Sequence, residues 1–174
     1  QTLEATPTQS DAAKPTVALD VGALGGMYAG KIKLIGTEKG LGVTLDGEVA
    51  ASQNLILTHD GRITVNGSLS AQQDIEITAS GDLANDGQIS SGQTIRIAAR
   101  HIQSNGFITA GEEGEEDHTG HEHGSGEESG GSTPILADLT LTAAETVDLT
   151  GVVSASRNVI LSGKTVTYDA DNTF

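Results

Sequence analysis

The sequence predicts an all-β chain wound as a parallel β-helix with coils of about 20 residues. Three observations predict it. First, "NLILTHDGRITVNGSLSAQQ" (54–73), "DIEITASGDLANDGQISSGQ" (74–93) and "TIRIAARHIQSNGFITA" (94–110) align at a step of 20 residues. Leu55, Ile75 and Ile95 fall in register, and so do Leu57, Ile77 and Ile97. Second, "NLILT", "DIEIT", "TIRIA", "DLTLT" and "NVILS" alternate apolar and polar residues, the period of a half-buried strand. Third, Gly47, Gly67 and Gly87 keep the same step, and Gly106 comes one residue early. These glycines follow Asp or Asn, residues that tolerate the left-handed backbone of a tight corner. A hairpin sandwich also has short strands and Gly corners, but nothing in it holds one residue class at one step over five units.

Each stretch has a place in this scheme. Residues 1–16 have no period and carry two prolines, and are expected to form an extended lead-in. Residues 17–53 are expected to form irregular first coils, because Leu34 and Leu57 are 23 apart rather than 20. Gly25 and Gly26 before Met27 and Tyr28 suggest a tight corner with a local apolar plug. Residues 54–110 are the regular coils. A second inward set follows at Ile63, Val65, Leu83 and Ile102, and a third at Val49, Leu69, Ile89 and Ile108. Asn54, Asp74, Thr94, Asp138 and Asn158 share one strand start and are expected to stack as a polar ladder. Residues 111–134 are an acidic, Gly- and His-rich insert. Coils resume over 135–174, where Leu139 and Val159 are again 20 apart. Ile95 and Leu139 are separated by 44, one step plus about 24 surplus residues.

Composition narrows the function. The chain has 174 residues, a net charge of -15, no Cys and no Trp. Such acidity disfavours nucleic acid and anionic membrane surfaces as partners. Without Cys there is neither disulfide nor thiolate chemistry. No apolar run approaches the roughly 18 residues of a transmembrane helix. The opening "QTLEATPTQSDAAKP" has neither the basic region nor the apolar core of a signal peptide, so a targeting segment is expected upstream.

Few residues offer chemistry. Asp117, His118, His121 and His123 in the insert are weak candidates for a metal, since imidazole and carboxylate ligate Zn, Ni or Cu. The seven surrounding glycines favour a flexible solvated loop over a fixed ligand cage. His59 and His101 are expected at coil-surface corners, too far apart to share an ion. Asp60 and Asp82 sit near corners of neighbouring coils, where a glycosidase could place its acids. The aromatics and arginines of a sugar groove are scarce, and Met27 and Tyr28 are expected to pack. The reading is a chain with no catalytic residue and no cofactor.

"ALDVGALGGMYAGKIKLIGTEKGLGV" (18–43) resembles a segment of the large two-partner-secretion exoproteins, the filamentous haemagglutinin and contact-dependent inhibition (CdiA-type) proteins of Gram-negative bacteria. "GEVAASQNLILT", "GSLSAQQDIEITA" and "GQISSGQTIRIAA" resemble that family's haemagglutinin repeats. The resemblance implies a right-handed β-helix within a secreted cell-surface filament, a virulence-associated adhesin. It implies export through an outer-membrane β-barrel transporter, and attachment to a receptor on host or neighbouring bacterial cells or presentation of a distal toxin. Neither the Asn-Pro secretion signatures nor a toxin is found, and "YDADNTF" shows no evident cap, so an internal fragment is expected. Two alternatives stay open: a carbohydrate-active or carbohydrate-binding β-helix, and a binding module acting through 111–134.

Overall fold

The computed structural model describes residues 17–20, 26–38, 41–111 and 136–169. They form a right-handed parallel β-helix with three faces, as every strand pairing among them is parallel. The first face stacks β3 (Ile32–Gly36), β6 (Leu55–His59), β9 (Ile75–Ala79), the front of β12 (Ile95–Ser104), the front of β14 (Asp138–Leu149) and β16 (Asn158–Ser162). The second stacks β1 (Val17–Asp20), β4 (Gly42–Leu45), β7 (Ile63–Val65), β10 (Leu83–Asn85), the rear halves of β12 and β14, and β17 (Thr165–Tyr168). The third stacks β2 (Met27–Ala29), β5 (Glu48–Ala51), β8 (Ser68–Ala71), β11 (Gln88–Ser91), β13 (Phe107–Ala110) and β15 (Val152–Ala155).

Alternation turns one residue in two toward the axis, and the step places like over like. Leu55, Ile75, Ile95 and Leu139 form one buried column, and Leu57, Ile77, Ile97 and Leu141 the next. Val43, Ile63, Leu83, Ile102 and Val147 line the second face, and Val49, Leu69, Ile89 and Ile108 the third. Each such side chain contributes about 1.5–3 kcal/mol on leaving water. In a chain without Trp or Cys, repetition of aliphatic side chains builds the core.

The corners correct one expectation. Among the described residues Gly111 alone has positive φ, at 80°. Gly67, Gly87, Gly106 and Gly151 are needed for another reason: a Cβ there would overlap the carbonyl oxygen of the stacked glycine one coil earlier. Their value is close backbone approach rather than handedness. Beside them Asn66 Nδ2 donates to Asp46 Oδ1 (2.5 Å), Asn105 Nδ2 to Asp86 Oδ1 (2.7 Å) and Thr150 Oγ1 to Asn105 Oδ1 (2.7 Å). Acid and amide alternate, so no carboxylate lies directly over another. The expected polar ladder is present at the corner before the first face, where Asn54 Nδ2 donates to Asp74 Oδ2 (3.2 Å) and Thr94 N to Asp74 Oδ1 (3.1 Å).

The early Gly106 also has a structural cause. Ile75 pairs Ile95, a step of 20, but Leu83 pairs Ile102, a step of 19. The residue is lost at the first corner, where Ser80-Gly81-Asp82 gives way to Arg100-His101 without a glycine. The front and rear strands then fuse into the single 10-residue β12, and β14 answers with a register shift between Ala99 and His101.

Candidate functional site

Of the residues that sequence chemistry singles out, Asp117, His118, His121 and His123 lie outside the described residues. The register still fixes where their segment joins. Gly111 N donates to Ser91 O (2.7 Å), as Gly92 N does to Ala71 O (2.9 Å). Arg157 N donates to Ala137 O (2.9 Å), as Gln93 N does to Gln73 O (3.0 Å). Ala137 therefore occupies the position after Gly111 in an ordinary corner. Residues 112–136 are surplus, one more than the sequence count of about 24, because the coil before them is one short. The join lies at the corner between the third and first faces. Among the described residues no group of three or more His, Cys, Asp or Glu could hold a metal ion.

His59 corrects the sequence reading. It is not at the coil surface but buried, 1% exposed. It continues the inward alternation Leu55, Leu57, His59, in a column where Gly36, Ala79, Ala99 and Ala143 are small. Its Nε2 donates to Leu41 O (2.7 Å), which fixes the proton on that nitrogen, and its Nδ1 has no partner. Cβ atoms at Gly36 or Gly61 would strike the ring. The first coil carries three extra residues at this corner, between Gly36 and Val43, and the imidazole ties that longer turn to the stack. The inward period and the 23-residue step together were the available signal. His101 lies in β12, half-buried, with Nδ1 3.0 Å from Thr146 Oγ1.

The corner acids are engaged between coils. Asp82 accepts from Arg100 Nε (3.2 Å) and Arg62 Nη2 (3.5 Å), and Asp60 accepts from Ser80 Oγ (2.6 Å). Asp138 meets Arg157 through Nε (2.7 Å) and Nη2 and also accepts from Asn158 Nδ2 (2.9 Å). The Arg157 hydrogen bonds lower the Asp138 pKa to about 2. These bonds run along the axis and fasten each coil to the next.

Tyr28 is the second correction. It is not an apolar plug: Met27 turns inward over Val49, while Tyr28 points out and is 65% exposed. Its hydroxyl donates to Glu48 Oε2 (2.5 Å), and this bond raises the phenol pKa. The ring leans over Gly26, where a Cβ would collide with it. It borders an open groove of about 520 Å³ whose lining includes Ala50, Ser52, Ser70 and Gln72.

Comparison with known proteins places the chain. The haemagglutinin repeat model matches residues 2–67, 56–151 and 135–174. Toxin CdiA of Yersinia pestis is 57% identical over 51 residues, 29% of this chain and 2% of that protein. The tRNA nuclease CdiA-2 of Burkholderia pseudomallei (strain 1026b) is 44% identical over 63 residues, 36% of this chain and 2% of the relative. Toxin CdiA of Escherichia coli is 49% identical over 49 residues, 28% and 2%. The matched stretch thus spans about 2% of the length of these curated relatives. No solved structure matches the chain. Repeat step, coil geometry and family match agree: the chain belongs to the haemagglutinin-repeat family.

Proposed function

We propose that the chain is a rod segment of a large secreted exoprotein of the CdiA type, displayed on the bacterial surface. It extends attachment or toxin-bearing parts away from the cell. The observation that supports this reading most is continuity: one inward column runs unbroken from Ile32 to Val159 through six stacked strands, about 24 Å at the usual strand spacing. Stacked coils held by backbone bonds and axial side-chain ladders resist bending. Rigidity at low sequence cost is what an extending element needs.

On this reading the relatives' toxin and nuclease activities belong to other parts of those proteins, and the segment has no catalytic step of its own. Its partners are an outer-membrane β-barrel transporter during export and a receptor on a host or neighbouring bacterial cell. Coil-by-coil folding outside the cell assists export, because each new coil has a finished edge to pair with.

The test removes whole coils from the parent exoprotein. Deleting 55–94, two full steps, joins Asn54 to Ile95 at equivalent positions. The expected result is normal surface display and attachment with a shorter reach. Ile77→Asp, which puts a charge in the core without changing length, is expected to reduce display. Loss of attachment despite full display of the coil deletion, or normal display of Ile77→Asp, would contradict the reading.

A further inference from the structure

Extension gives no role to the groove beside Tyr28. We propose that this groove binds a neutral oligosaccharide laid along the third face. The inference rests on the surface-segment reading and deepens it by naming a ligand class.

The ring is ready for stacking. Tyr28 is 65% exposed, yet its hydroxyl is fixed by Glu48 and it rests over Gly26. Little side-chain freedom is left to lose when a ligand arrives. The floor beside the ring is Ala50 and Ser70, and the rim carries the Ser52 hydroxyl and the Gln72 amide. A pyranose has this composition in reverse: an apolar C–H face that stacks on an aromatic ring, and equatorial hydroxyls that meet hydroxyl and amide groups at the edge. The groove is open and shallow, which suits a sugar ring lying flat better than an enclosed apolar molecule.

The trough continues along the axis. On the outward side of the third face, Tyr28 is followed by Ala50, Ser70, Ser90, Thr109 and Ser154, none larger than Thr. Phe107, 55% exposed, stands on the same face four strands beyond Tyr28, about 19 Å away at the usual spacing. Two of the chain's four aromatics thus stand on one face, with small residues between them. An extended oligosaccharide of a few sugars fits that interval. Charge selects among glycans: the Glu48 carboxylate at the ring and a net charge of -15 oppose uronate, sialate and sulfate groups.

The test uses the whole chain, with neutral oligomers of glucose, galactose, mannose and N-acetylglucosamine against uronate and sialylated oligomers. Saturation-transfer NMR and calorimetry are the readouts. The expected result is binding of at least one neutral series, strengthening with length. Tyr28→Ala should weaken it at least tenfold, and Tyr28→Phe should retain most of it. Ser70→Lys should block it with Tm unchanged. Absence of binding by every neutral series, a preference for charged glycans, or unaltered binding by both Tyr28→Ala and Ser70→Lys would overturn the proposal. Tyr28→Ala and Ser70→Lys in the parent exoprotein separate the two ideas. Normal display shows that the rod is intact, whatever becomes of sugar binding.

Discussion

Ile95 and Leu139 are paired neighbours on the first face although 44 residues separate them along the chain. The ladder continues beyond them in both directions, to Ile75 and to Val159. A long acidic stretch thus leaves the stack at one corner and returns without displacing a column. In a solenoid each coil rests on its neighbours alone, so surplus chain at a corner leaves the stacking below and above intact.

Removing that surplus should therefore be tolerated. Deleting 112–136 joins Gly111 to Ala137 and restores an ordinary corner. We expect a thermal midpoint equal to or above that of the parent chain, because loop closure becomes less costly. A fall of several degrees, read by circular dichroism, would mean that the stretch braces the stack.

The core columns should respond to truncation as a packed interior does. Ile77 is fully buried between Leu57 and Ile97. Ile77→Ala should cost about 2–5 kcal/mol in urea unfolding. Truncating the exposed Ile35 should cost far less, since it gives up little buried area.

Glycines of different kinds should separate cleanly. A Cβ at Gly87 overlaps the Gly67 carbonyl oxygen, whereas one at Gly30 meets nothing within 4 Å. Gly87→Ala should destabilise by about 1–3 kcal/mol through forced separation of two coils. Gly30→Ala should be neutral or stabilising by up to about 1 kcal/mol, through the unfolded chain. Equal effects in denaturant melts would refute close approach as the reason for the Gly67, Gly87, Gly106 and Gly151 column.

Acid should release the fastening between the last two coils. The Arg157 guanidinium lowers the Asp138 pKa to about 2, below its unfolded value. A depressed carboxylate contributes stability that is present above the unfolded pKa and is lost as pH falls through the folded one. The window runs from about pH 4 down to about pH 2. Carboxyl carbon NMR should place the Asp138 midpoint near the low end, and Arg157→Gln should move it upward.

Much of the fold was legible because a solenoid repeats its instructions. Leu55, Ile75, Ile95 and Leu139 announce one column, and alternation beside each announces the inward face. Less legible were the places where the repeat breaks. Polarity suggested a surface for His59, but its inward register and the longer turn at Leu41 gave it a buried acceptor. Tyr28 next to Met27 looked like packing, yet neighbours in a strand face opposite ways, and Met27 took the inward position. The glycine column could be read from spacing, but not its cause, which is the distance between coils and not a dihedral angle. The surplus count was off by one because the compensating loss at Arg100 lies in another corner.

The central claim is that the coils before and after the surplus stretch stack directly, in register. The chain has no Cys, so engineered thiols report without interference. Arg96 and Thr140 are paired neighbours on the first face, whereas Asp148 belongs to the second. Dibromobimane, which fluoresces when it bridges two nearby thiols, should cross-link Arg96→Cys with Thr140→Cys within one folded chain. It should leave Arg96→Cys with Asp148→Cys unbridged. Failure of the first pair in a folded protein, or equal bridging of the second, would contradict the stacked, register-keeping β-helix.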